Sequence, residues 1–194
     1  MLYISYIWVY KEHMFFILLL GASKTDKSKR MMTTNQILIK EFQFINNWTQ
    51  GLVETLNENQ WNETLPEIRT NISWIIGHIV HNNYWHSIGW VKPASNKFLN
   101  DFDIDYLDKF FKKDSNPLLY IEERPSKKEI LTLMNLLKEE TIKNIKELSP
   151  EELEQKTLSP SPVAKTKYES LSFAIKHQMW HNGQIAMIKR ILKN

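Results

Sequence analysis

The sequence contains no cysteine among its 194 residues. Disulfides, iron–sulfur clusters and thiolate nucleophiles are therefore excluded, and a tight metal site has to use histidine and carboxylate ligands. Glycine is also scarce, at 5 residues. The sequence has no phosphate-binding loop, no dinucleotide-binding glycine pattern and no Gly-x-Ser-x-Gly turn. Nucleotide cofactors consequently have no support.

Charge of one sign is not concentrated in the chain. The 25 basic and 22 acidic residues are mixed, and no long basic stripe occurs after the first thirty residues. A nucleic-acid partner is therefore not expected. The length and the 42% hydrophobic content suit one well-buried domain.

Residues 1–30 are interpreted as an extension that is not part of the fold. Their apolar runs, 1–10 and 14–22, are shorter than the roughly 20 residues of a membrane helix, and the positive charge mostly follows them instead of preceding them as in a signal peptide. We predict that translation starts at Met31 or Met32 and that residues 31–194 form the domain, with no membrane partner and a cytoplasmic location. A weak export signal that begins at Met14 is the alternative.

Apolar residues at helical spacing predict an all-α chain with four long helices. Capping boxes are expected to open the first helix at Thr33 and the third at Ser126. The first helix is expected to bury Ile37, Ile45 and Trp48. The predicted helices run from about Thr34 to Asn57, from about Asn71 to Gly89, from Ser126 to Leu148 and from about Tyr168 to Leu192.

The connection Val91–Pro125 is long for a helix bundle. It contains one segment with a helical pattern, Ile104–Lys113. We expect the connection to cap one end of the bundle or to cross it, where it would form part of a pocket wall.

Three histidines point to a metal site. His177 and His181 are four residues apart on one helix face, and His78 occupies a similar position in the second predicted helix. Three neutral imidazoles bind one divalent ion and leave a coordination position open. His81 and His86 are weaker candidates for the place of His78, and ordinary buried core histidines are the alternative for all of them.

Two further features narrow the chemistry. Residue 178 is glutamine, so the His177 pair lacks the glutamate of the His-Glu-x-x-His metalloprotease motif. Trp74, Trp85, Trp90 and Trp180 fall on the same predicted helices as the histidines. They are expected to line an apolar pocket or, alternatively, to belong to the core.

The segments 71–85 and 177–185 resemble the two signature segments of the DinB-like superfamily. The resemblance covers roughly residues 34–192. It implies a four-helix bundle with up-down-down-up connectivity, in which one histidine of the second helix and a His-x-x-x-His pair of the fourth bind a divalent metal. In this sequence those ligands are His78, His177 and His181, and zinc or nickel suits them.

The resemblance implies several activities. The superfamily includes bacillithiol S-transferases, a mycothiol-dependent isomerase and proteins described as metal-dependent hydrolases. We therefore expect a metal-dependent enzyme that activates a low-molecular-weight thiol for transfer to a small-molecule substrate. A metal-dependent hydrolase and a non-catalytic metal- or ligand-binding stress protein are the alternatives. Asn82, Trp85 and Gln184 are expected beside the ligands, a homodimer is expected, and the sequence identifies no general base.

Overall fold

A computed structural model describes residues 31–192, and the predicted extension, residues 1–30, lies outside the described residues. In chain order the helices are α1 (Thr34–Val53), α2 (Glu58–Asn62), α3 (Ile72–Tyr84), α4 (Asn96–Asp101), α5 (Ile104–Phe111), α6 (Lys127–Glu147), α7 (Pro150–Leu153) and α8 (Lys167–Ile191). A π-helical turn, Trp85–Gly89, continues α3, and a 3-10 turn spans Ile121–Glu123. Among the described residues β-structure is limited to two isolated bridges, which confirms the all-α prediction.

Polar side chains at the helix starts determine most helix boundaries. Both predicted capping boxes, at Thr33 and Ser126, are present. A third capping box at Asn57 begins α2, so α1 ends at Val53 and the predicted continuation of α1 to Asn57 was wrong. A further capping box at Thr166 begins α8 one residue earlier than predicted.

Side-chain hydrogen bonds show the directions of the long helices. Helix α1 runs antiparallel to α6 and parallel to α8, and α3 runs antiparallel to α8. The pairs are Asn35–Ile145 and Gln50–Asn135 for α1 and α6, Thr49–Asn182 and Leu52–Lys189 for α1 and α8, and Asn83–Gln178 and His86–Ser170 for α3 and α8. Taken in chain order, α1, α3, α6 and α8 form an up-down-down-up bundle, as the resemblance implied.

The buried face of α1 differs from the predicted one. Leu38 and Ile45 are buried, but Ile37 and Trp48 are 44% and 43% exposed. Thr49 takes a core position instead, because its hydroxyl bonds to Asn182 inside the bundle. None of the helices within residues 31–192 is both long enough and apolar enough to span a membrane.

The long connection between α3 and α6 packs against the bundle through α5 and a buried arginine. Helix α5 packs against α3. Arg124 is 7% exposed, and its guanidinium donates to the carbonyls of Asn116, Pro117 and Leu119. These bonds hold the chain between α5 and α6 in place, so the end of α5 is a fixed neighbour of α3.

Candidate metal centre

His78 is held in one orientation by the end of α5. The Asn71 side chain caps α3 by accepting from the backbone N–H of Trp74, and His78 lies two turns further on, 8% exposed. Its Nδ1–H donates to the carbonyl of Phe111 at 2.7 Å. That carbonyl belongs to the last residue of α5, where intrahelical donors run out. The bond fixes the proton on Nδ1 and leaves Nε2 as the basic nitrogen.

His177 and His181 present their Nε2 atoms to each other. They lie one turn apart on α8, are 9% and 6% exposed, and their Nε2 atoms are 3.1 Å apart. The Nδ1–H of His181 donates to Gln184 Oε1 at 2.7 Å. This bond keeps the His181 proton away from Nε2. Nδ1 of His177 is buried and has no hydrogen-bond partner among the described residues, and an ion on Nε2 would fix the proton there.

The three histidines converge in the bundle interior. The ring of His78 lies 5.2 Å from the rings of His177 and His181, and one nitrogen of each lies within 4.8 Å of the others. Zinc binds imidazole nitrogens at about 2.0–2.1 Å, so nitrogens that share an ion lie roughly 3.3 Å apart in a tetrahedral site. The pair on α8 is already near this separation, and His78 needs only a small movement. The cluster could therefore hold a divalent ion.

Burial keeps these imidazoles neutral. It lowers the pKa of His78 to about 4 and that of His177 to about 3, with smaller contributions from the neighbouring histidine charges. Burial also lowers the pKa of His181. Neutral imidazole is the form that binds metal, so the cluster is ready for an ion at pH 7.

Aromatic rings surround the cluster on two helices. Trp74 stacks on His78, with centroids 4.8 Å apart, and its Nε1–H donates to the carbonyl of Phe110. Trp180 stacks on His181 and is 67% exposed, and Phe173 stacks on His177. Trp74 and Trp180 thus flank the histidines, and their part in a pocket wall stays a prediction.

The other candidate histidines have different neighbours. His81 pairs with Asp108 of α5. His86 lies 3.2 Å from the hydroxyl of Ser170, and Trp90 packs edge-on against its ring. Neither is part of the three-histidine cluster.

The residues expected beside the ligands occupy three different settings. Gln184 accepts the hydrogen bond from His181. Asn82 lies one turn after His78, and its Oδ1 is buried without a partner among the described residues. Trp85 packs on Trp90 and lies near His81. Their roles at the site stay predictions.

Two groups near the cluster were not predicted. One is the carbonyl of Phe111, since backbone groups leave no trace in a residue pattern. The other is a buried polar chain in which Asn83 donates to Gln178, Gln178 to Thr49 and Thr49 to Asn182. Gln178 and Asn182 each follow a cluster histidine in sequence. The presence of polar residues in the apolar stripe of α8 is the sequence signal that could have revealed this chain of hydrogen bonds.

Fold and site together define an up-down-down-up four-helix bundle with an internal three-histidine cluster. A family model described as the DinB superfamily matches residues 42–185, and the chain belongs to that superfamily. The crystal structure of a conserved protein from Enterococcus faecalis is similar at 14% sequence identity and a TM-score of 0.58. The match covers 82% of this chain and 97% of that chain, and at this identity it concerns the fold. A comparison with curated proteins gave no match.

Proposed function

We propose that this chain is a metal-dependent enzyme that joins a low-molecular-weight thiol to an electrophilic small molecule. One observation carries the proposal: three buried, neutral imidazoles converge, and two of them have Nδ1–H groups engaged by Phe111 and Gln184, which leaves the lone pair on Nε2. Membership of the DinB superfamily supports it, because thiol transfer is among the activities that the family resemblance implies.

His78, His177 and His181 would hold the ion. A bound zinc or nickel ion would supply Lewis-acid activation of a thiol or of water. The remaining groups come from the chain itself. Phe111 and Gln184 orient two of the imidazoles, and outer partners of this kind typically change metal affinity about 10–100-fold.

The surroundings of the cluster favour an apolar reactant. Trp74 and Phe173 cover His78 and His177, and Trp180 presents an exposed ring beside His181. Such rings keep water away from the histidines and offer a surface to an apolar or aromatic electrophile. The chain has no cysteine, so a thiol has to enter as a separate molecule.

The proposal is tested by following thiol consumption. The full-length chain, produced without a metal-binding tag and loaded with zinc or nickel, is mixed with cysteine, glutathione or bacillithiol and an activated chloroarene. We expect thioether formation that stops after metal removal and in the His177→Ala variant. His86→Ala is the matched control, because His86 is buried in the π-helical turn that continues α3 but pairs with Ser170 outside the cluster.

Other outcomes identify the alternatives. Metal-dependent consumption of an ester or amide without thiol would replace the transferase with a hydrolase. A metal that raises thermal stability while no substrate is consumed would indicate a binding protein. The homodimer, the cytoplasmic location and the start at Met31 or Met32 stay predictions.

A further inference from the structure

A histidine and an aspartate pair at the edge of the three-histidine cluster. His81 follows His78 by three positions on α3, so the two side chains are neighbours on the helix surface. Nε2 of His81 bonds to Oδ1 of Asp108 on α5. The side chain of His81 is 9% exposed and that of Asp108 is 43% exposed. The pair therefore joins a buried ring to a carboxylate that is open to water.

Stability does not explain this pair well. An ion pair with one partner open to water contributes little to folding. His81 is nevertheless close enough to the cluster to act on it electrostatically: burial is the main cause of the lowered pKa of His78, and the charges of His181 and His81 add to it. The position suits a group that exchanges protons with a molecule bound at the cluster.

Asp108 also selects the basic nitrogen of His81. A carboxylate only accepts hydrogen bonds, so it holds the proton of the neutral ring on Nε2. The indole Nε1–H of Trp85 lies 3.4 Å from the same Nε2, at the long limit of a hydrogen bond, so the shorter contact with Asp108 decides the tautomer and leaves the lone pair on Nδ1. A histidine oriented by a carboxylate is a common general base.

We propose that His81 accepts the proton of the thiol that reacts at the three-histidine cluster and that Asp108 positions His81. This inference rests on the proposed function, because it requires a thiol reactant. The S–H bond breaks and its proton moves to Nδ1 of His81, while the sulfur electron pair forms the new C–S bond. The leaving group departs with the electrons of its broken bond. His81 passes the proton to a basic leaving group, or to solvent when chloride leaves, because chloride is too weak a base to hold it. Thiol and electrophile thus become a thioether, the leaving group and one proton.

The first test compares rates over a range of pH. The full-length zinc-loaded chain is assayed with 2-mercaptoethanol and 1-chloro-2,4-dinitrobenzene. His81→Gln is expected to lower kcat at pH 7 by at least about 100-fold, the usual contribution of a general base, with unchanged zinc content and melting temperature. The deficit should shrink as the pH approaches the pKa of the thiol, because a thiolate needs no base. A purely structural defect would persist at every pH.

A second test measures the bound thiol instead of turnover. Ultraviolet difference spectra, in which a thiolate absorbs and a thiol does not, follow the addition of 2-mercaptoethanol to the zinc-loaded chain without electrophile. At pH 7 the parent is expected to hold thiolate, whereas His81→Gln should hold it only as the pH approaches the pKa of the thiol. Equal thiolate signals from both chains at pH 7 would overturn the assignment.

Asp108→Asn tests the positioning role. It keeps the size of the side chain but weakens the bond to His81, so we expect about a 10-fold lower kcat with the same pH trend. Asp105→Asn is the matched control, since Asp105 lies one turn away on α5 and is exposed. If the parent turns over and the His81→Gln variant is equally active, this inference is overturned and the proposed function stands. A parent that neither binds nor consumes the thiol would overturn the proposed function first, and this inference with it.

Discussion

Gly77 shows how tightly the site is built, because no side chain fits there. A Cβ atom at this position on α3 would lie 2.2 Å from Cε1, 2.3 Å from Cδ1 and 2.5 Å from Cζ of Phe111. Phe111 is 1% exposed, so its ring has little room to move. Its carbonyl also holds Nδ1 of His78. Gly77→Ala should therefore damage both the packing and the orientation of His78.

The net effect follows from two opposing contributions. Alanine in place of glycine inside a helix normally stabilises it by about 0.5–1 kcal/mol. Overpacking of a buried core typically costs about 1–3 kcal/mol, and contact with three ring atoms places Gly77→Ala toward the upper end. We expect a net loss of roughly 1–2 kcal/mol in the free energy of unfolding. Gly183→Ala is the matched control: its Cβ would meet nothing within 4 Å, so it should gain up to about 1 kcal/mol.

Urea unfolding followed by far-ultraviolet circular dichroism measures both variants. Gly77→Ala combined with Phe111→Leu should recover part of the loss, since the smaller side chain makes room for the methyl group. A Gly77→Ala variant as stable as the parent would refute the close packing of α3 on α5.

Three further predictions concern stability and assembly. Arg124→Met should lower the free energy of unfolding by about 2–4 kcal/mol, because three carbonyls lose a buried donor. A loss below about 1 kcal/mol in urea titrations would be evidence that these hydrogen bonds do not hold the connection in place. Burial lowers the pKa of His78 and His86 to about 4 and of His177 to about 3, from 6.5, so the unfolded chain takes up protons first as the pH falls. The contribution of these histidines to the stability of the metal-free chain should be fully present above pH 6.5 and should decline as the pH falls toward 4. The decline should reach up to about 1.4 kcal/mol per pH unit for each histidine, and a stability that does not change with pH would contradict this prediction. Trp48 and other exposed apolar side chains on the outer faces of α1 and α8 suit the pairing of two copies of the chain. Light scattering should therefore show a dimer, and Trp48→Lys should weaken it. A monomeric parent would argue against this pairing.

The fold was predictable because its main signal is local. Apolar spacing of 3.6 residues located the four long helices, and capping residues located two of their starts. The same periodicity brought His78, His177 and His181 to the bundle interior, where the structure brings them together. The outer face of α1 was misassigned because Ile37 and Trp48 are apolar but exposed, while Thr49 is polar but buried. Hydrophobicity alone does not distinguish these cases.

The rest of the site depends on contacts between distant parts of the chain. Asp108 is 27 residues from His81, and the carbonyl of Phe111 is 33 residues from His78. Both belong to the long connection, whose path depends on the bonds of Arg124 rather than on any repeating pattern. The sequence identified no general base for the same reason, since a histidine becomes a candidate base only when its partner is known.

The central claim is that His78, His177 and His181 hold one divalent ion, and metal content tests it most directly. Elemental mass spectrometry on the full-length chain, purified without a metal-binding tag, should find close to one zinc or nickel ion per chain. His78→Ala and His177→Ala should each lose nearly all of it, because two remaining imidazoles bind an ion far more weakly than three, whereas His86→Ala should retain it. A parent that stays free of metal after reconstitution, or a His177→Ala variant with full occupancy, would contradict the account.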